Sequence, residues 1–271
     1  AEVFNDLHGL AQSAVDGYNV LIMAGGPPGG GKTFSMLGES AERRGIMPRI
    51  IDELFVIRER DIWRANLEVD AQIVEVVDAR KMGDLLTRGT PTGRHSGMGP
   101  SVRLVPKAVG QWDEPGSPED AQLVVVDGAV TRRAASKQEL RRMVQDAFRG
   151  TAHGGRPRHV VVLVTLTRTN RATGCMTRSK LALVDLAGIG MSCTPEVSAA
   201  YRALGNVFKA VVREDRRPPF REHVLTQVLQ DCLGGSAKTV LLLALPSPDA
   251  VQNAADCIEA VSFAKCALPQ S

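Results

Sequence analysis

The sequence predicts an α/β fold: a mostly parallel central β-sheet flanked by helices on both faces. Three observations carry that expectation. Apolar runs such as Val160–Leu166 and Val240–Leu245 have the length of buried strands and fall far short of a membrane span. Stretches with helical apolar periodicity alternate with them. Between one such strand and one such helix lies Gly26-Pro27-Pro28-Gly29-Gly30-Gly31-Lys32-Thr33, which fits G-x-x-x-x-G-K-[ST].

The elements follow in order. Asp6 stands where it would cap a helix carrying the apolar stripe Leu7, Leu10, Ala11, Ala14 and Val15. Gly17 ends it, and Tyr18–Ala24 is an apolar strand. Lys32-Thr33 opens a second helix and Pro48 a third, whose buried face is Ile50, Ile51, Leu54, Phe55 and Ile57. Leu67–Val77 alternates as a strand does, and a short helix is expected near Lys81–Thr87. Gly89–Ser101 and Gly110–Ala121, rich in Gly and Pro, read as surface loops around the short strand Leu123–Val126. Ser136 and Glu139 make a capping box ahead of Leu140, Met143, Val144 and Ala147. Val160–Thr167, Lys180–Asp185 and Thr239–Pro246 are further strands, with helices near Glu196–Val212, His223–Leu233 and Asp249–Ala267. Neither a repeat nor a compositional break divides residues 1–271, so a single domain is expected.

Composition narrows the function classes. Of 271 residues, 44% are hydrophobic and 23% charged, enough for a sizeable core. The net charge of +3 gives no nucleic-acid footprint. Trp63 and Trp112 are too isolated to form a base-stacking platform. Cys175, Cys193, Cys232, Cys257 and Cys266 are scattered without a C-x-x-C pair, which argues against a disulfide framework or a zinc site. A reducing, cytoplasmic setting with no membrane partner is therefore expected. His8 and His95 sit among polar neighbours and read as surface residues.

The glycine-rich octapeptide has a physical logic. Gly26, Gly29, Gly30 and Gly31 let backbone N–H groups approach phosphates without a Cβ in the way. The following helix start adds unpaired donors. Lys32 can reach the β- and γ-phosphates, and the Thr33 hydroxyl can ligate Mg²⁺. Pro27 and Pro28 depart from the usual cradle because each removes a donor. A second signal is Leu181-Ala182-Leu183-Val184-Asp185, an apolar strand ending in an acid that can hold Mg²⁺ through water. Gly188, just beyond it, can offer its amide to a γ-phosphate.

These residues and their surroundings resemble the kinesin motor domain. Gln12–Val20 is similar to the stretch ahead of that family's P-loop and leans toward the kinesin-14 subgroup. Gly45-Ile46-Met47-Pro48-Arg49, Asp185-Leu186-Ala187-Gly188 and Ala203-Leu204-Gly205-Asn206-Val207 are similar to the helix after the P-loop, to switch II and to the relay helix. The most specific match runs from Pro219-Phe220-Arg221 through Leu229-Gln230-Asp231 to Leu233–Thr239. The resemblance implies ATP or ADP with Mg²⁺ as cofactors, a microtubule partner, a sheet of about eight strands, and a place on the microtubule cytoskeleton, in spindle or axoneme. It also places Arg216, Arg217, Arg221 and His223 on a microtubule-facing loop, with Val224 where a lysine is usual.

The departures are as informative. The family's switch I serine-serine-arginine-serine-histidine run corresponds here to Gly154-Gly155-Arg156-Pro157-Arg158-His159, leaving Thr151 and Arg158 as candidate substitutes. Ile189 and Gly190 stand where switch II has Ser-Glu, so both ends of the family's closing salt bridge are missing. Losing these groups costs about 10³–10⁵ in phosphoryl-transfer rate, while ground-state binding rests on other residues. The expectation is a pseudo-motor that binds nucleotide and hydrolyses it weakly or not at all. The alternatives are an active microtubule-stimulated ATPase and an unrelated P-loop kinase or NTPase. The family's upstream first strand, its Arg-x-Arg-Pro segment and its neck have no counterpart in these residues, so any dimer contact is expected outside them.

Overall fold

Val20–Gly25 (β1) is buried at every position and organises the sheet. In this computed structural model, residues 2–40, 42–87, 100–106, 122–151, 157–247, 249 and 254–268 are described. On either side of β1 run two parallel neighbours, Met176–Asp185 (β8) and Lys238–Leu243 (β9). Beyond β8 come His159–Asn170 (β7) and Ala65–Val76 (β2), each antiparallel to the strand before it. Met82–Asp84 (β3) and Arg132–Arg133 (β6) pair with β2, giving the order β3-β2-β7-β8-β1-β9 with β6 beside the main path.

The α/β class therefore holds, but the sheet is mixed rather than mostly parallel. The reason is the connection at 171–175, which joins β7 to β8 as a tight turn. A parallel pair needs a crossover of a dozen or more residues, so this link can only make a hairpin. A second, two-stranded sheet pairs Ser101–Pro106 (β4) with Gln122–Asp127 (β5).

Alternation along the strands divides the core in two. Ile22, Val162 and Leu183 face one side, where they meet Ala11 and Val15 of Gly9–Val15 (α2), Ile50 and Leu54 of Ile46–Arg60 (α4), and Leu140 and Val144 of Lys137–Thr151 (α5). Met23, Val161 and Val184 face the other, covered by Pro195–Val212 (α6), Val224–Leu229 (α7) and Ala254–Lys265 (α8). None of the helices among the described residues is long and apolar enough to cross a membrane.

Several boundaries differ from expectation. Asp6 lies inside Glu2–Leu7 (α1) and caps nothing, because the chain is already helical before it and breaks at His8. Pro48 sits in the first turn of α4, which begins at Ile46, a place where a missing N–H leaves no bond unmade. Residues 82–84 are a strand rather than part of a helix. The Asp78 carboxylate accepts the Arg80 and Lys81 amides, and that turn sends the chain back along β2. The capping box forms: Glu139 accepts the Ala135 amide at 2.9 Å and Ser136 Oγ accepts that of Glu139.

One buried polar knot ties the parallel strands together at their starts. Asn19 accepts the Lys180 amide with its side chain and the Lys238 amide with its carbonyl, and donates to Asp231 O at 2.7 Å. The Lys180 ammonium lies 2.6 Å from Asp231 Oδ2, with the two side chains 1% and 5% exposed. The same carboxylate accepts the Val124 amide, bringing β5 into the knot.

Candidate nucleotide site

β1 delivers the glycine-rich loop to the carboxyl edge of the sheet, and the turn after β9 forms its floor. A Cβ on Gly26 would lie 2.1 Å from Ala244 O, and one on Gly30 would lie 2.3 Å from the same oxygen. Gly31, at φ 87°, caps Lys32–Met36 (α3) in the left-handed region. Around Gly29 and Gly31 a Cβ would meet nothing within 4 Å, so this side of the loop is open.

Lys32, Thr33 and Asp185 come together as the sequence predicts. Thr33 Oγ1 donates to Asp185 Oδ2 at 2.5 Å. Lys32 is buried, and its Nζ donates to Pro27 O at 2.6 Å. Burial lowers the Lys32 pKa, and the Asp185 charge partly opposes that. Burial also pushes the Asp185 carboxyl up to about 6, against the pull of Thr33 and Lys32. Its Oδ1 is buried with no hydrogen-bond partner. A hydroxyl beside a carboxylate with a spare oxygen is a donor set that suits Mg²⁺. No cluster of three or more His, Cys, Asp or Glu at metal-binding geometry occurs among the described residues, so further ligands would come from phosphate and water.

Thr33 and Asp185 open onto a cavity of about 750 Å³, whose walls include Arg44, Arg141, Phe148 and Arg158. The arginines are already engaged. Asp52 pairs with Arg44 at 2.7 Å and also with Arg141. Arg158, a candidate for charge stabilisation, donates to Glu75 at 2.5 Å and is thereby tied to β2 at the cavity wall. Thr151 is the last residue of α5, and its side chain lies outside the described residues, as do residues 152–156.

The segment after β8 is strapped to the loop. Leu186 N donates to Ala24 O and Ile189 N to Gly26 O, each at 3.1 Å. A Cβ on Gly188 would lie 2.8 Å from Pro28 N, so only glycine fits this approach. Tyr201, buried on α6, donates its hydroxyl to Ala187 O at 2.9 Å and accepts the Gly26 amide at 3.4 Å. From α8, Asp256 accepts the Met191 amide at 2.7 Å. His159 Nδ1 accepts the Ala187 amide, and burial, helped by nearby His223, drops its pKa to about 3.

Sequence reasoning missed Tyr201 and Asp256. The one available signal was a tyrosine on the apolar stripe of α6, where a buried hydroxyl needs a partner.

On the proposed partner-facing loop, Arg216, Arg217 and Arg221 are exposed. His223 is a correction. It is 1% exposed, and its Nδ1 accepts the Leu225 amide as the cap of α7, so it cannot meet an external surface.

Comparison with known proteins agrees with this geometry. The family described as Kinesin motor domain matches residues 1–268. Kinesin-like protein KIN-14G of Arabidopsis thaliana is 30% identical over 271 residues, covering 92% of this chain and 25% of the relative. KIN-14I of Oryza sativa subsp. japonica is 29% identical, over 89% of this chain and 19% of its own length. The chain thus spans a quarter or less of these relatives. Among solved structures, the C-terminal motor domain of Kar3 from Candida glabrata superposes with a TM-score of 0.77 at 26% identity, covering 98% of this chain and 78% of that one. The Kar3Vik1 motor and motor homology domain structure, fused to a synthetic heterodimeric coiled coil, gives 0.78 at 25%, covering 99% and 68%.

Proposed function

Since the chain belongs to the kinesin motor-domain family and is kinesin-14-like, we propose that it is a microtubule-binding, ATP- or ADP-binding unit that hydrolyses nucleotide weakly or not at all. Residues 1–271 act as one motor domain in this reading. Gly26 lets the loop pass close to the Ala244 carbonyl, Gly29, Gly30, Gly31, Lys32 and Thr33 hold the phosphates, Gly188 faces the γ-phosphate, and Thr33 with Asp185 holds Mg²⁺, the latter through water. The metal, when bound, spreads charge between the phosphates. Lys32 leaves Pro27 O to meet the nucleotide, and an ionised Asp185 is favoured by the cation, so loading at a pH below about 6, where the empty site holds Asp185 protonated, releases a proton.

The observation that carries this reading is the Lys32–Thr33–Asp185 assembly standing beside a segment with no acid at Ile189 and Gly190. Binding groups are in place; the closing acid is missing, and Arg158 is held by Glu75. Exposed Arg216, Arg217 and Arg221 offer an acidic polymer a basic contact that weakens with salt. Dimerisation would use segments outside these residues.

The test combines fluorescent-ADP titration, single-turnover ATP cleavage with and without microtubules, and co-sedimentation at two salt concentrations. Nucleotide binding, salt-sensitive pelleting and cleavage reduced about 10³-fold or more from an efficient motor support the proposal. Robust microtubule stimulation would favour the active ATPase. Absence of pelleting at low salt would favour an unrelated P-loop protein.

A further inference from the structure

We propose that Tyr201 is a positioning residue: its hydroxyl latches the glycine-rich loop to the 186–190 segment and so slows nucleotide release. The release part rests on the nucleotide reading above; the latch itself does not.

The geometry is that of a two-sided clasp. A phenol has one proton to give and lone pairs to accept with. Tyr201 gives the proton to Ala187 O at 2.9 Å and accepts from Gly26 N at 3.4 Å. Gly26 carries the last amide proton before two prolines, so its donor is committed to α6 rather than left for a ligand. The ring is held in place by an edge-on contact with Phe263 of α8, centroids 4.7 Å apart, and lies 6.1 Å from the His159 ring.

A second fastening completes the strap. Asp256 accepts the Met191 amide, and Gly190 permits this, since a Cβ there would lie 2.5 Å from the carboxylate. Glycine-rich loop, 186–191 segment, α6 and α8 are thereby joined through named polar contacts. Were Tyr201 only filling the core, its ring would suffice and the hydroxyl would be dispensable.

Tyr201→Phe separates these cases, because it keeps the ring and removes both bonds. Hydrogen exchange is measured on the nucleotide-free chain, and fluorescent-ADP release alongside it. A net hydrogen bond corresponds to about a five-fold change. The expected result is about five-fold faster exchange in 24–31 and 186–191 together, unchanged exchange in 224–229, and about five-fold faster ADP release. Tyr201→Met, which keeps apolar volume, should reproduce the pattern and serves if the phenylalanine variant is poorly folded. Unchanged exchange in both segments overturns the latch. Faster exchange with unchanged release overturns its role in retention. Faster exchange in a protein whose wild type holds no ADP supports the latch and overturns the nucleotide reading.

Discussion

Asp185→Asn should make the nucleotide-free protein more stable at neutral pH while destroying its response to Mg²⁺-nucleotide. The carboxyl is pushed from 3.8 to about 6 by burial. Each pKa unit is worth about 1.4 kcal/mol, so keeping Asp185 ionised above pH 6 costs the empty fold about 3 kcal/mol. The sign follows from proton counting: between the two values the native state binds more protons than the unfolded chain. Stability therefore falls as pH rises through that window. An asparagine can still accept from Thr33, but its amide replaces the orphan Oδ1 with an unpaired donor, which returns about 1 kcal/mol. A net gain of about 2 kcal/mol is expected from urea unfolding at pH 7.5, shrinking toward zero at pH 4. Adding Mg²⁺ with ATP or ADP should raise the wild-type midpoint and leave the variant's where it was. A variant destabilised equally at both pH values would refute the argument, because it would mean that the ionised carboxylate stabilises the empty fold.

Two further outcomes are expected. The His159 contribution runs against that of Asp185: it weakens the fold as pH drops below 6.5, because the unfolded chain takes up a proton that His159, held near 3, refuses. By pH 5 this costs about 2 kcal/mol, and His159→Asn should flatten that part of the urea-unfolding pH profile. Lys180→Met, which strands the Asp231 carboxylate in the interior, should cost about 3–5 kcal/mol in the same assay. Adding Asp231→Asn should recover part of that loss, because the amide oxygen can still accept from Val124.

The sequence disclosed the strands better than their directions. β1, β7 and β8 were legible because burial on both faces demands unbroken apolar runs, and β9, only half-buried, still shows the run Val240–Leu243. Whether neighbours run parallel depends on what joins them. Here that was a turn in which the Asn170 side chain accepts two amides and Gly174 takes φ 71°, a pattern that could have been read. The strand at 82–84 was hidden by its brevity and by the Asp78 turn before it. Lys32, Thr33 and Asp185 were legible because their chemistry constrains residue type and spacing. Tyr201 was not, since its partner Gly26 is 175 positions away and nothing local signals the pairing. His223 misled for a related reason: a histidine among charged residues looks like surface until its ring is found capping α7.

The glycines of the loop answer to two separate demands. Gly26 and Gly30 are small because the Ala244 carbonyl stands against them, whereas Gly29 and Gly31 border open space. Steric need at the first pair would outlast any loss of catalysis. A descendant that had given up its substrate altogether would still be obliged to retain two of these four glycines, including the one that opens the fingerprint by which such proteins are recognised.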